Sequence, residues 1–179
     1  KYLANVKFSS IYSSNMKRAI ETAQIISDGL PHEIKIRENL KEINFGKWEG
    51  LKFEEINQKY RSDYQAWLND PFKSPPTGGE SFTDLISRAD SEIKKIISKN
   101  PDGSSVAIIT HGGVILALLV SWLKIPPECW RSIIQRQGAI NVVVIDRDFP
   151  YISSVNYTGH INPVYDDSED RVIELYSKV

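Results

Sequence analysis

Residues 110–113 (Thr-His-Gly-Gly) carry the groups in this chain best suited to bind an anion. They follow a β-branched run at 106–109, typical of a strand covered on both faces. An apolar segment at 114–123 follows, which is typical of a core helix. The N–H groups and positive dipole end of that helix would face His111, and such an arrangement readily binds phosphate. The two glycines allow a sharp turn and a close approach. Alternatively, His111 is a polar residue satisfied by backbone at a strand end.

Arg18 is a candidate for holding the same anion. It falls in the first turn of a predicted helix that directly follows a strand. A cation there is disfavoured by the helix dipole, by ~0.3–1 kcal/mol. A bidentate phosphate contact would more than offset this cost. The alternative is a surface arginine paired with Glu21 or Glu38.

Glu42 is a candidate proton donor. It stands among Leu40, Ile43 and Phe45, just ahead of the glycine that breaks the segment. Apolar neighbours and a nearby anion both raise the pKa of a carboxyl, which makes it a usable acid near neutral pH. The alternative is solvent exposure, which is the default for this residue and for Glu49.

The apolar periodicity predicts the elements that position these residues. Strands are expected at 8–13, 33–37, 106–109, 139–146 and 152–157, and helices at 16–30, 53–68, 82–98 and 114–123. Asn15 and Ser81 are the expected caps of the first and third helices, and Gly29 and Pro31 are expected to end the first. Strands alternating with helices favour an α/β fold with a largely parallel sheet and an antiparallel end.

Composition excludes several classes of function. The net charge is −1 and the basic residues are scattered, which argues against nucleic-acid binding. A single cysteine, Cys129, excludes an internal disulfide and a cysteine-rich zinc site and suits the cytoplasm. The three histidines lie far apart, so no metal is expected. Neither a signal peptide nor a run of roughly 18 apolar residues is present, so no membrane partner is expected.

Four stretches together resemble the histidine phosphatase superfamily, also called phosphoglycerate mutase-like. Residues 13–23 are similar to its SS…RA..TA element and residues 40–50 to its L.E..FG.WEG element. Residues 79–81, with Arg88 beyond, are similar to its GES…R helix start, and residues 110–113 to its second-histidine motif. The four occur in the family's order across most of the chain.

This resemblance implies a three-layer α/β/α fold with a mostly parallel central sheet. It also implies transfer of a phosphoryl group through a phosphohistidine, without a cofactor or metal. Arg18 would bind the phosphoryl group together with the Gly112 N–H, His111 would stabilise its charge, and Glu42 would protonate the leaving alcohol. The partner would be a small phosphorylated metabolite or inorganic phosphate. The version of the second motif and the short loop at 70–79 resemble small phosphatases, including the α-ribazole phosphatase-like branch.

Electrostatics agrees with that role for His111. A protonated imidazole at a helix N-terminus costs ~0.3–1 kcal/mol. A phosphate charge about 4 Å away is worth roughly 4 kcal/mol at an effective dielectric near 20. We therefore expect a neutral imidazole in the empty site and a charged one when phosphate binds.

The chain departs from the family in one respect. The family's nucleophile is a histidine in an RHG motif on its first strand, and neither His32 nor His160 has that context. His160 is expected to be a surface residue. We expect residues 1–179 to be one domain that is N-terminally incomplete relative to the family, with an acidic tail at 163–179. The nucleophile would lie on an upstream segment, and the 179 residues alone would lack turnover.

The sequence leaves some alternatives open. A further strand, for example from a partner chain, could replace the family's first strand. The protein could instead be a phosphoglycerate mutase-type enzyme or an inactive phosphoester-binding module. The substrate and the oligomeric state, monomer or homodimer, are also left open.

Overall fold

The computed structural model describes residues 2–28 and 33–161. The strands are β1 (Ser10–Ser13), β2 (Ile34–Ile36), β3 (Val106–Ile109), β4 (Ile140–Asp146) and β5 (Phe149–Tyr157). The helices are α1 (Lys17–Ser27), α2 (Phe53–Lys59), α3 (Arg61–Asn69), α4 (Phe82–Ser98) and α5 (Gly112–Trp122). Short 3₁₀ helices cover Glu38–Leu40, Gly46–Trp48 and Pro127–Ser132. The fold is α/β, as predicted.

The central sheet is parallel and runs in the order β2-β1-β3. Ser13 at the end of β1 lies opposite Ile36 on one side and Ile109 on the other. The loops that follow β1 and β3 therefore leave the sheet at the same edge. The predicted antiparallel end is a hairpin of β4 and β5, which forms a separate two-stranded sheet within the described part of the chain.

The core lies where α2–α5 meet, and a cluster of aromatic rings fills it. The Trp67 ring makes edge contacts with those of Trp48, Phe45 and Trp130, with ring centroids 5.5–6.2 Å apart. Such pairs contribute ~0.5–1.5 kcal/mol each beyond their burial. Trp67 and Trp130 are buried, as is Leu40 at the start of the loop that carries the predicted acid. The aromatic core therefore supports one wall of the predicted site.

Several predicted bounds needed correction. The segment predicted as one helix at 53–68 is two helices, because the backbone at Tyr60 leaves helical geometry with φ −132° and ψ 36°. Asn15 does not cap α1, since Met16 is the N-cap residue and makes no side-chain cap hydrogen bond. Ser81 caps α4 as predicted, with Asp84 N–H donating to its hydroxyl.

The two glycines after His111 do not form the predicted sharp turn. They are the first residues of α5, and neither has a positive φ. β3 is half-buried along its length rather than covered on both faces.

Some of the residues named in the predictions are not among those that the structure describes. Gly29, Pro31 and His32 and the acidic tail at 163–179 lie outside the described residues. In the two described ranges, no helix has the length and apolar character needed to cross a membrane. No three His, Cys, Asp or Glu side chains within those ranges gather as a metal site would require.

Candidate active site

His111 connects the ends of β1 and β3. It is the N-cap residue of α5, and its side chain is buried. Its Nε2 lies 2.7 Å from the hydroxyl oxygen of Ser14, the buried residue after β1. The backbone N–H of Met16 donates to the same oxygen at 3.3 Å. With the ring proton on Nδ1, the Ser14 hydroxyl donates to Nε2 and holds the imidazole in one orientation.

The His111 imidazole is neutral at neutral pH. Burial lowers its pKa to about 4, and the positive charges of Arg18 and Arg88 act in the same direction. These guanidinium groups repel a proton on the ring and so lower its pKa. An anion placed between them and the ring would attract that proton and raise the pKa of His111. We therefore predict that the His111 ring gains a proton when an anion binds there.

Glu42 reaches the same helix N-terminus from the opposite loop. Its Oε1 accepts from the backbone N–H of Ile43 at 2.9 Å, and its Oε2 accepts from that of Gly113 at 3.4 Å. Burial raises the pKa of the carboxyl above its ordinary value, although these N–H groups and the charges of Arg18 and Arg88 oppose the shift. Apolar neighbours therefore raise the pKa of Glu42, as the sequence suggested.

Arg18 does not pair with either of its expected surface partners. Glu21 pairs with Lys17 at 3.7 Å, and Glu38 pairs with Lys41 at 3.5 Å. No described side chain forms a hydrogen bond or ion pair with the exposed Arg18 guanidinium. The interpretation as a paired surface arginine is therefore wrong.

The positive charge of Arg18 nevertheless acts on the Glu42 carboxyl and on the His111 imidazole. It lowers the pKa of Glu42 and that of His111. An arginine close enough to act on a carboxyl and an imidazole, and without a partner of its own, is available to bind an anion between them. The structure thus brings together the three residues that sequence reasoning chose, and the N–H groups of Gly112 and Gly113 lie at the same end of α5.

Arg88 fixes the loop that carries Glu42. Its Nε and Nη2 donate to the two carboxylate oxygens of Glu80 at 2.6 and 2.8 Å. Its Nη1 and Nη2 also donate to the backbone carbonyls of Asn39 and Glu42 at 2.7 and 3.1 Å. Glu80 in turn accepts from the backbone N–H of Asn44 at 3.3 Å. The pair thus holds the backbone on both sides of the carboxyl.

Two glycines let this loop pack directly against the proline-containing loop. Gly46 has a φ of 55°, and a Cβ there would overlap the backbone of residues 77–79. A Cβ on Gly79 would overlap the carbonyl oxygen of Asn44, which accepts from the Glu80 N–H at 2.9 Å. The backbones are therefore too close for side chains at these positions.

Gly113 leaves the space that Glu42 occupies, and this gives a test with a matched control. A Cβ on Gly113 would overlap the Glu42 carboxyl, whereas a Cβ on Gly112 would meet only Gln135 Cβ at an ordinary 3.7 Å. We expect Gly113→Ala to be less stable than Gly112→Ala by about 0.5–1.5 kcal/mol, the usual value of one hydrogen bond, because the end of the flexible Glu42 side chain must move and would lose its contact with the Gly113 N–H. Gly112→Ala should leave the free energy of unfolding unchanged or raise it by about 0.4–1 kcal/mol. Position 112 is helical, and alanine there restricts the unfolded chain more than glycine does.

Urea denaturation of the two variants measures this difference. A second readout is the Glu42 carboxyl, whose raised pKa should return towards its ordinary value in Gly113→Ala, because the displaced side chain regains water. Equal stability of the two variants would contradict the close approach of Glu42 to the helix.

Sequence reasoning missed several supporting residues. Ser14 and Gly113 belong to the stretches at 13–23 and 110–113, yet the sequence did not indicate their contacts with His111 and Glu42, which depend on the fold. Glu80 and Arg88 both belong to the GES…R stretch, yet the sequence did not indicate that they clamp a loop. His160 is exposed and lies beside the rings of Tyr2 and Tyr157, in agreement with a surface position.

The comparison with protein families decides the classification. The model described as histidine phosphatase superfamily (branch 1) matches residues 1–158. The chain belongs to the histidine phosphatase superfamily. Members of this superfamily with similar sequences include "Phosphoserine phosphatase 1" of Hydrogenobacter thermophilus, which is 26% identical over 155 residues. That match covers 87% of this chain and 73% of the relative.

Other members of the superfamily are similar over comparable lengths. The adenosylcobalamin/alpha-ribazole phosphatase of Escherichia coli is 26% identical over 154 residues, 86% of this chain and 75% of the relative. The glucosyl-3-phosphoglycerate phosphatase of Mycobacterium tuberculosis is 28% identical over 130 residues, 69% of this chain but 58% of the relative. These relatives are therefore longer than the part of them that this chain matches.

Solved structures confirm the fold of this superfamily member. The YhfR protein of Bacillus stearothermophilus superposes with a TM-score of 0.84 at 28% identity, covering 90% of this chain and 80% of that one. The mycobacterial glucosyl-3-phosphoglycerate phosphatase in complex with inorganic phosphate superposes with a TM-score of 0.76 at 23% identity, covering 87% and 80%. A phosphoglycerate mutase-like α/β architecture is thus shown.

Proposed function

We propose that this chain forms most of a phosphomonoesterase that transfers a phosphoryl group through a phosphohistidine to water. One observation carries the proposal. The Arg18 guanidinium, which has no hydrogen-bond or ion-pair partner among the described residues, lies within electrostatic reach of a carboxyl of raised pKa and a neutral imidazole at the N-terminus of α5. That constellation suits a tetrahedral oxyanion. Relatives named as phosphatases support hydrolysis as the outcome.

Each group has a distinct part in the proposed reaction. Arg18 binds two oxygens of the phosphoryl group through its planar fork. The N–H of Gly112, at the start of α5, donates to a third oxygen. His111 gains a proton as the dianion arrives and then stabilises the charge that spreads over the phosphoryl oxygens in the transition state.

Glu42 is the proposed proton donor of the first step and the proton acceptor of the second. As the nucleophilic nitrogen bonds to phosphorus, the ester P–O bond breaks and the Glu42 carboxyl gives its proton to the departing oxygen. In the second step water attacks phosphorus, the P–N bond breaks, and the Glu42 carboxylate takes the proton of water. The raised pKa of Glu42 suits the first step, because burial favours the protonated carboxyl that donates to the departing oxygen.

We infer that the nucleophilic histidine lies on a strand outside these 179 residues, in an N-terminal extension of the same domain. β1 has a strand on each side, whereas β3 pairs with β1 alone among the described strands. A strand added in parallel to the free edge of β3 would end beside His111, because β3 leads directly to it. Such an edge otherwise leaves backbone groups unpaired.

Intact mass and N-terminal sequencing of the protein from its source test this inference. We expect the native protein to begin upstream of Lys1 and to contain an arginine-histidine-glycine sequence there. A native start at Lys1 would contradict it. We use "full-length protein" below for the chain with its native N-terminus.

Phosphate release from p-nitrophenyl phosphate by the full-length protein tests the function. We expect Arg18→Ala to lower kcat/KM by about 10- to 150-fold, since hydrogen bonds to charged groups are worth about 1.5–3 kcal/mol. Lys17→Ala is the matched control, because its side chain is exposed on the same turn and its partner is Glu21. We expect Lys17→Ala to retain the wild-type rate.

The same assays separate the other candidate functions. A phosphate-binding module would bind inorganic phosphate, with the same loss in Arg18→Ala, yet release none from the ester. A mutase would isomerise phosphoglycerate faster than it releases phosphate. We also propose a cytoplasmic location, because Cys129 is exposed and free, as suits a reducing compartment.

A further inference from the structure

A recess opens beside the proposed phosphate position. It has a volume of about 240 Å³, and Glu42, Gly112 and Gly113 form one wall. Its other walls are formed mainly by apolar side chains, among them Phe45, Trp67, Phe82, Leu116, Trp130 and Ile133. An apolar cavity of about 150 Å³ is enough to bind benzene. The recess can therefore hold one ring with a substituent, directly next to the proton donor.

None of the described residues that line the recess carries a positive charge for a second anion. Glu42 is the only ionisable side chain among its lining residues. Arg131, next to one lining residue, donates instead to the carbonyl of Leu68 at 3.1 Å, and its guanidinium lies over the Trp130 ring. A carboxylate or second phosphate placed here would lose its hydration without gaining a partner.

The side-chain amide of Gln135, which belongs to the lining of the recess, has its orientation fixed by its neighbours. The backbone N–H of Asn156 donates to Asn141 Oδ1 at 2.9 Å, which fixes the orientation of that amide. Asn141 Nδ2 then donates to Gln135 Oε1 at 2.9 Å. Gln135 Nε2 is left buried and without a hydrogen-bond partner among the described residues. A buried orphan donor is costly, and a ligand acceptor would remove that cost.

We propose that this recess binds the alcohol part of the substrate, and that this part is an uncharged ring or similarly compact apolar group carrying a hydrogen-bond acceptor for Gln135. The inference rests on the proposed function, because it places the scissile ester oxygen at Glu42. It favours phosphate esters of neutral aromatic or alicyclic alcohols over phosphoglycerates and other substrates with a second anionic group.

Indole signals of the ¹⁵N-labelled full-length protein report occupancy of the recess. Trp67 and Trp130 line it, whereas the Trp122 indole N–H donates to Asp90 at 3.0 Å outside the recess. We expect 4-hydroxyacetophenone, a neutral ring with a carbonyl acceptor, to shift the signals of Trp67 and Trp130 and to leave that of Trp122 unchanged. Glycerate at the same concentrations should shift none of them.

Two variants test the hydrogen bond to Gln135 and the location of the ligand in the recess. Gln135→Leu should weaken binding of 4-hydroxyacetophenone by about 2- to 10-fold, the usual value of one neutral hydrogen bond, and leave binding of 4-ethylphenol unchanged. Ile133→Trp should fill the recess and weaken both ligands, and the unchanged Trp122 signal verifies that the variant is folded. Equal loss of both ligands in Gln135→Leu would overturn the assigned acceptor.

Inorganic phosphate separates this inference from the proposed function. If phosphate shifts the amide signals of Gly112 and Gly113 but no neutral ring binds, the recess proposal is wrong and the phosphatase proposal stands. If rings bind while phosphate has no effect, the recess is real but the phosphatase proposal is wrong. Tighter binding of glycerate than of the rings would overturn the stated substrate class.

Discussion

Replacing Glu42 with glutamine is expected to lower kcat/KM of the full-length protein for benzyl phosphate by about 10²- to 10⁴-fold, the range that general acid catalysis contributes. Glutamine keeps the size of the side chain, but its single carbonyl oxygen can accept from only one of the two backbone N–H groups, those of Ile43 and Gly113, and it has no proton to give. The loss should be much smaller for p-nitrophenyl phosphate, because nitrophenolate leaves without protonation. This dependence on the leaving group is what distinguishes an acid from a structural carboxyl.

The pH profile adds an independent readout. Burial raises the pKa of Glu42, so its protonated fraction falls as pH rises through that raised value. The rate with benzyl phosphate should fall over the same interval, and Glu42→Gln should abolish that limb. Glu49→Gln is the matched control, because Glu49 is exposed. The amide oxygen of glutamine can still accept the hydrogen bond from the Phe45 N–H. An equal loss with both esters would contradict the assignment.

Replacing Arg88 with leucine is expected to lower the free energy of unfolding by about 3–5 kcal/mol, as breaking a buried ion pair does. Arg88 and Glu80 have side chains only 16% and 15% exposed, so the remaining carboxylate would be buried without its partner. The carbonyls of Asn39 and Glu42 would lose their donors as well. Urea denaturation monitored by tryptophan fluorescence measures the change.

A double variant distinguishes the loss of stability caused by breaking the Arg88–Glu80 ion pair from a loss caused by general damage to the helix. Arg88→Leu with Glu80→Leu should lose less stability than the sum of the two single variants, because neither charge is then left unpaired. Lys94→Leu on α4 is the control, since Lys94 pairs with Asp90 on an exposed face and its loss should change little. Additive losses would contradict a direct pair between Arg88 and Glu80.

Much of the site was predictable because its signals are local. The apolar neighbours of Glu42 adjoin it in sequence, so the raised pKa could be expected from the sequence, and α4 has the bounds that its periodicity and the Ser81 cap predict. β3 likewise has its predicted bounds, since a short β-branched run between turn residues permits few alternatives.

The rest depends on contacts between distant segments. Ser14 meets His111 across 97 positions, and Arg88 meets the Asn39 carbonyl across 49. A sequence pattern does not report which backbone carbonyl a distant guanidinium will reach. The glycines after His111 were expected to allow a turn and a close approach; Gly113 allows only the second, and the sequence did not indicate that the approaching group is the Glu42 carboxyl. Tyr60 likewise fits a continuous helical pattern, and only the fold shows the break there.

Titration of the His111 ring by NMR, with and without inorganic phosphate, tests the central claim most directly. Without phosphate, burial and the two guanidinium groups lower the pKa to about 4. A phosphate between Arg18 and the ring is worth roughly 4 kcal/mol at about 4 Å, which corresponds to a rise of about two to three pKa units. We expect that rise in the wild-type full-length protein and its loss in Arg18→Ala. A His111 pKa that stays near 4 in saturating phosphate would show that the three groups do not share one oxyanion.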